Sequence, residues 1–301
     1  MAAPAEETSP LPSLTLPEAT NYIGVFLTLR CNLRCPYCIN RFGGKQGGGA
    51  LISGADWLRG LNRITPRPDL PISLQGGEPS LHPDFYQILQ GLRPDLPVDL
   101  LTNLQFDVDE FMDRIPVGRL RRDSPYASIR VSYHPGQMDL SVLQQKVLRM
   151  LVRGYSVGIW AVNHPDREEE IARAQATSRD LGIDFRLKEF LGRHQGRLFG
   201  RYKYPQAVDS AQRRQVSCRT TELLVGPGGD VFRCHSDLYA SRAPYGRLTD
   251  PDFRYSAGAF RPCKVYGDCN PCDIKVKTNR FQEFGHTSVE ILFDDAPPPG
   301  D

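Results

Sequence analysis

No stretch of this 301-residue chain approaches the roughly 18 consecutive apolar residues that a membrane-spanning helix needs. Neither sign of charge dominates: 37 Lys and Arg stand against 35 Asp and Glu, a formal net charge of +2. A broad cationic face for nucleic acid or anionic lipid is therefore not expected. The opening residues, MAAPAEETSPLPSLTLPEAT, have neither the basic start nor the apolar stretch of a secretory signal. A cytoplasmic location is the expectation. No internal repeat is present, and none of the six histidines has a spacing that marks a catalytic pair.

Cysteine, by contrast, is plentiful and clustered. All eight fall in two groups, Cys31, Cys35 and Cys38, then Cys218, Cys234, Cys263, Cys269 and Cys272. In a reducing compartment such groups bind metal more readily than they form disulfides.

Apolar strand-like runs at 22–29, 71–75, 98–102, 127–133, 156–162 and 184–190 alternate with amphipathic helix-like segments at 53–64, 84–92, 107–115, 139–153 and 168–181. Ser53 and Asp84 read as helix caps, and Asp107 and Asp139 open their helices with favourable charge. Strand alternating with helix implies parallel strands joined by right-handed crossovers. Six units are too few for a closed eight-stranded barrel and fit an open α/β architecture, a partial (β/α)6 TIM-like barrel. Beyond residue 200 the pattern breaks. The expected division is a flexible lead-in (1–20), the barrel (21–200), a polar linker (201–217), a cysteine-rich module (218–285) and a tail (286–301). The module opens on a hairpin around Pro227-Gly228-Gly229-Asp230. Its apolar content is too low for an independent core, so a metal centre is expected to stabilise it. The final DDAPPPGD reads as disordered.

Three thiolates on one short loop lack a nearby fourth ligand for structural zinc, since His82 is distant and Asn32 and Asn40 are poor substitutes. On a four-iron cluster they leave one iron open, which is a catalytic arrangement. Cys31-x3-Cys35-x2-Cys38, with Tyr37 before the last cysteine and the whole following the first strand, resembles the signature of the radical S-adenosylmethionine (SAM) enzymes. At the end of the second strand, Gly76-Gly77-Glu78-Pro79 is similar to the motif with which that family holds the methionyl amine of SAM. Glycines admit a close backbone approach, and Glu78 can accept from an ammonium. The resemblance covers about residues 22–190. It implies a 4Fe–4S cluster on Cys31, Cys35 and Cys38 that chelates SAM, its reductive cleavage, and a deoxyadenosyl radical that abstracts a hydrogen atom. It also implies a flavodoxin- or ferredoxin-type electron donor. Arg30 and Arg34 flank the loop, as cluster-tuning charges or as solvated surface.

Further SAM contacts are expected from Thr102 and Asn103, which resemble the family's TNG ending with Leu104 in place of glycine, and from Ser132 and Asn163. Tyr133, His134, Lys188 and Glu189 also lie near strand ends, where such sites form. They are the candidate proton or hydrogen-atom carriers, and each serves equally well as a structural residue.

The second cysteine group looks like a SPASM or twitch extension, with five cysteines where the full SPASM pattern has seven. Five suffice for one auxiliary iron–sulfur cluster. Cys218 and Cys234 are expected as ligands, completed by Cys269 and Cys272, with Cys263 as the spare. A zinc knuckle that uses His235 is the alternative. A free Cys263 would be the hydrogen donor in an epimerisation.

The expected function is a radical SAM oxidoreductase that modifies a ribosomal peptide or other natural-product precursor by oxidation, cross-linking or epimerisation. Only about twenty residues precede the barrel, which leaves no room for a leader-binding domain and keeps small-molecule dehydrogenation of a sugar or cyclitol alcohol as the rival. A non-catalytic iron–sulfur or zinc scaffold accounts for the cysteines but not for Gly76–Pro79.

Overall fold

The six apolar runs become six parallel neighbours in the computed structural model, which describes residues 10–41, 50–256, 258–280 and 283–293. Strands β1 (Tyr22–Thr28), β2 (Ile72–Gly76), β3 (Val98–Thr102), β4 (Ile129–Tyr133), β5 (Val157–Asn163) and β6 (Phe185–Glu189) pair in sequence order. Helices α1 (Gly54–Leu61), α2 (Phe85–Gly91), α3 (Val108–Arg114), α4 (Leu140–Val152) and α5 (Glu168–Asp180) cover the outer face. Trp57, Leu61, Ile88, Phe111, Val147 and Ile171 from these helices pack on Val25, Leu74, Leu100, Val131 and Ile159 from the strands in one core. The expected partial barrel is present, and its strand ends converge on one side.

Local chemistry sets the helix starts. Ser53 Oγ accepts from Asp56 N, Asp107 from Asp109 N and Glu110 N, and Asp139 from Ser141 N and Val142 N. Asp84 departs from expectation. It stands at the start of α2 but makes no cap bond there. Its Oδ2 instead accepts from Gly54 N at 2.7 Å, capping the neighbouring α1.

The remaining elements redraw the expected divisions. Within the lead-in, Leu14 bridges to Ile64, and Leu14 and Leu16 are buried in the barrel core, so residues 13–20 pack as part of the barrel. Residues 1–9 and 294–301, which include DDAPPPGD, lie outside the described residues. A hairpin, β7 (Gly192–His194) with β8 (Arg197–Phe199), follows β6. The linker contributes β9 (Arg214–Thr220), whose Val216 and Cys218 are buried. Strand β10 (Glu222–Val225) pairs in parallel with β1, adding a seventh parallel strand to the barrel sheet. β11 (Asp230–Phe232) and β12 (Gly246–Arg247) extend that sheet antiparallel. Between them, α6 (His235–Ala240) begins at Cys234.

A second sheet of β13 (Arg261–Tyr266), β9 and β16 (Val289–Leu292) carries the cysteine module. Short helix α7 (Pro271–Ile274) and the pair β14 (Lys277–Thr278) and β15 (Phe284–His286) complete it. β16 falls in the expected tail, yet Val289 and Ile291 are buried against β9. No helix among the described residues is long and apolar enough to cross a membrane.

Candidate active site

The three N-terminal cysteines sit on the loop that leaves β1, closed by a 3-10 turn at Ile39–Arg41. Cys31 is exposed, Cys35 buried and Cys38 half-buried, and all three line a cavity of about 730 Å³. Leu33 N donates to Cys31 Sγ at 3.4 Å, Cys38 N to Cys35 O at 3.1 Å, and Arg34 N to Gln137 Oε1 at 2.7 Å. Burial, then the neighbouring Cys38, pushes the Cys35 thiol up to about 11, and burial also raises Cys31. Thiolates here need a bound cation to form. Arg30 and Arg34 face solvent.

The glycines after β2 serve a backbone approach, to the cysteine loop itself. Gly76 has φ +145°, and a Cβ there would lie 2.0 Å from Thr28 O; at Gly77 it would lie 2.1 Å from Arg30 O. Gly77 N and Glu78 N donate to Thr28 O and Arg30 O, both at 2.8 Å. Glu78 corrects the expectation of a carboxylate open to an ammonium. It is 1% exposed, and its Oε1 accepts from Ser80 Oγ (2.7 Å) and Thr102 Oγ1 (2.8 Å), while Oε2 accepts from Asn103 N (2.7 Å). The carboxylate ties the ends of β2 and β3 together. Asn103 continues the chain of contacts, donating from Nδ2 to Asn32 Oδ1 at 2.7 Å. Leu104 takes the left-handed conformation (φ 58°) that its glycine-like position demands.

Strand alternation sorts the remaining candidates. Arg130 and Ser132 on β4 and Lys188 on β6 face the cavity, as do His134 and Glu189. Tyr133 points the other way, 4% exposed in the helix-packed core beside Phe185, so it cannot act on a ligand in the cavity. Asn163 ends β5 outside the cavity lining. Burial, then Lys188, lowers His134 to about 4, so it is neutral at physiological pH, and its Nδ1 shares a 3.0 Å hydrogen bond with the Tyr37 hydroxyl. Two contacts had no sequence signal. Asn40 Nδ2 donates to Gly76 O (2.5 Å), and Tyr239 Oη on α6 donates to Asn40 Oδ1 (2.5 Å).

The second cysteine group divides differently from the expected ligand set. Cys218, Cys234, Cys263 and Cys269 are buried in one cluster with Tyr266, Val216 and Ile274. The Cys218 thiol hydrogen-bonds Cys263, which favours ionisation of Cys263, and the buried Arg233 guanidinium lies beside Cys218, Cys234 and Cys263. Cys272 is the odd one out. It lines the barrel cavity, with Lys275, Asp273, Lys277 and Glu222 as its charged neighbours and no cysteine among them. Cys263 is thus buried with Cys218, Cys234 and Cys269, while Cys272 is half-buried at the cavity. Cys269 lies just before α7 and is buried in the module, whereas Cys272 lies within α7 and lines the cavity.

Among the described residues no three thiols lie within 4.8 Å of one another. His235 Nδ1 is engaged by Asp273 Oδ1 at 2.7 Å, which removes it as a zinc ligand through that atom. His164, Asp166 and His194 do gather within 4.8 Å at the rim. His164 Nδ1, however, accepts from Asp166 N (3.2 Å), which leaves the ring hydrogen on Nε2, so the trio reads as a hydrogen-bonded loop.

With this geometry established, the comparisons fall into place. Residues 25–117 match the family model Radical SAM superfamily, and this chain carries a radical SAM domain. Among curated proteins it is 28% identical over 204 residues to the probable GTP 3′,8-cyclase of Methanocella arvoryzae, covering 63% of this chain and 62% of that protein. It is 37% identical over 78 residues to the PqqA peptide cyclase of Rhodopseudomonas palustris, covering 26% of this chain and 20% of the relative. The chain thus spans less than two thirds of the length of these relatives. Among solved structures, anSMEcpe with bound AdoMet and Cp18Cys peptide aligns with a TM-score of 0.51 at 12% identity, covering 79% of this chain and 78% of that one. That likeness establishes the shared fold, a parallel α/β partial barrel followed by antiparallel sheets that here carry cysteines.

Proposed function

We propose that this chain is a radical SAM enzyme that inverts a stereocentre in a peptide or other natural-product precursor, with Cys272 supplying the replacement hydrogen atom. In this reading Cys31, Cys35 and Cys38 hold a 4Fe–4S cluster with one iron left for the amine and carboxylate of SAM. Gly76, Gly77, Pro79, Thr102, Asn103 and Ser132 border the SAM site, and Glu78 acts through the strand ends it ties. Bound together, the cluster and SAM supply a deoxyadenosyl radical that takes a hydrogen atom from an unactivated C–H bond. Cys218, Cys234, Cys263 and Cys269 hold an auxiliary cluster.

The chain's own contribution begins with the cavity, whose volume of about 730 Å³ accommodates a peptide side chain or a small molecule. Tyr37 and His134 stay uncharged beside the loop and hydrogen-bond each other at 3.0 Å. Burial raises the Cys272 thiol, which keeps it as S–H, the form that can give up a hydrogen atom. Its S–H bond breaks as the new C–H bond forms on the substrate carbon radical, leaving a thiyl radical. One electron from a flavodoxin- or ferredoxin-type donor and one proton from solvent restore the thiol. Each turnover then consumes one SAM and two electrons, and the substrate leaves with its oxidation state unchanged.

The observation that supports this reading is that Cys272, outside the buried group of four thiols, lines the cavity that the first three cysteines also line. A second reading, net oxidation with the auxiliary cluster as electron acceptor, is favoured by the burial of the other four thiols with Arg233. The test is anaerobic incubation of the reconstituted protein with SAM and dithionite, alone and with candidate peptides, sugars and cyclitols in D2O. Deoxyadenosine release supports the enzyme. A product heavier by one deuterium supports inversion, and one lighter by two hydrogens overturns it for oxidation.

A further inference from the structure

Six cationic side chains line the cavity, and four of them already have carboxylate partners. Arg130 pairs with Asp99 at 3.2 Å, Arg186 with Asp184 at 2.8 Å, Lys277 with Glu222, and Arg280 with Asp69. The other two, Lys188 on β6 and Lys275 just after α7, have no hydrogen-bond or ion-pair partner among the described residues. The acidic lining residues cannot neutralise them. Asp69 and Glu222 are taken, and Glu189 stands 3.9 Å from Arg201. Arg130 shares its carboxylate, Asp99, with Arg122, and its Nε is buried without a hydrogen-bond partner.

Half-buried cations without a counter-ion are partly desolvated, and a cavity lined by two of them is suited to receive an anion. We infer that the substrate carries a carboxylate or phosphate group which docks on Lys188 and Lys275, with Arg130 behind, and so brings its neighbouring carbon to Cys272. The spacing supports this: Cys272 and Lys275 are three residues apart, and Cys272 and Lys188 are close enough to influence one another's charge. The charged groups that set the state of Lys188 are Arg130, Lys275 and Cys272, and no carboxylate is among them. The inference rests on the radical SAM reading and specifies its substrate class. It favours an acidic peptide or an acidic or phosphorylated small molecule over a neutral cyclitol.

The methionyl carboxylate of SAM offers the same chemistry, so the experiment separates the two sources. Reconstituted full-length protein and its K188Q and K275Q variants are compared for SAM affinity, for deoxyadenosine release with dithionite, and for the affinity of inorganic phosphate once SAM is saturating. Iron content and thermal melting verify that each variant is folded and loaded, and K188R and K275R are included as charge-conserving controls. A substrate anion site predicts that SAM-loaded protein binds phosphate, that each Gln variant weakens it about tenfold or more, that the Arg variants retain it, and that SAM affinity moves less than about twofold. If SAM affinity itself falls about tenfold and phosphate does not bind the SAM-loaded protein, the cations serve SAM and the inference is overturned. Equal phosphate affinity in all variants overturns it too. Failure of the wild type to release deoxyadenosine would instead sink the underlying radical SAM reading, so the two failures are distinguishable.

Discussion

The Tyr239 hydroxyl donates to Asn40 Oδ1 at 2.5 Å, and through that one side chain the C-terminal half of the protein grips the N-terminal cysteine loop. Asn40 passes the contact to Gly76 O, and Asn270 Nδ2 adds a second tie to Ile39 O at 3.3 Å. Helix α6, the cysteine loop and the end of β2 are therefore tied together by hydrogen bonds. Burial holds the Tyr239 phenol far above its ordinary pKa, so it remains a donor over the whole working range.

Tyr239→Phe leaves Asn40 Oδ1 without its partner, which is expected to cost about 1–3 kcal/mol of stability. Deoxyadenosine release should fall with it, because the loop that positions the cysteines is loosened. Asn40→Ala should cost a similar amount, and the double variant should cost less than the sum, since both remove one interaction. Fully additive melting data would show that the two residues act separately.

Leu104 poses two opposed effects. Its left-handed backbone is strained by about 1–2 kcal/mol relative to glycine, while its fully buried side chain would leave a cavity costing about 2–5 kcal/mol if removed. Burial wins. Leu104→Gly should therefore lower stability, by up to about 4 kcal/mol after the strain relief is subtracted. A melting temperature above wild type would refute the ordering of these two terms.

Iron analysis tests the regrouped cysteines. Cys263→Ala should lose the iron of the second cluster and keep that of the first. Cys272→Ala should retain both, continue to release deoxyadenosine, and form no inverted product. The opposite iron result would restore Cys272 as a ligand.

His134 gives stability a defined pH dependence. Burial and Lys188 lower its pKa from 6.5 to about 4, so between those values the unfolded chain binds a proton that the folded one does not. Stability contributed by neutral His134 is complete above about 6.5 and is lost as pH falls toward 4, a change on the order of 3 kcal/mol. His134→Gln should flatten that part of the stability curve in chemical denaturation. An unchanged slope would mean that His134 is solvated.

Much of this was readable along the chain because it is local. The continuous apolar run of β1 and the Asp and Ser caps act within a few residues, and the three-then-two spacing of Cys31, Cys35 and Cys38 lies on one loop. What sequence reasoning missed depended on long-range pairing. The polar stretch before Cys218 gave no strand signal, yet β9 forms because β13 and β16 supply partners on both edges. Tyr133 and Ser132 are adjacent and equally suited to catalysis in type, but the register of β4 sends one to the core and the other to the cavity.

Residue type, spacing and periodicity alone determined that this protein has a partial α/β barrel with thiols at the mouth of its first strand, since those signals are built from near neighbours. Only the tertiary structure decided that Glu78 fastens strands, that Cys263 belongs with the buried four, and that Cys272 faces the cavity beside two unpaired lysines. These depend on which way a side chain leaves the backbone and what distant segment meets it there, and a one-dimensional pattern does not encode that direction.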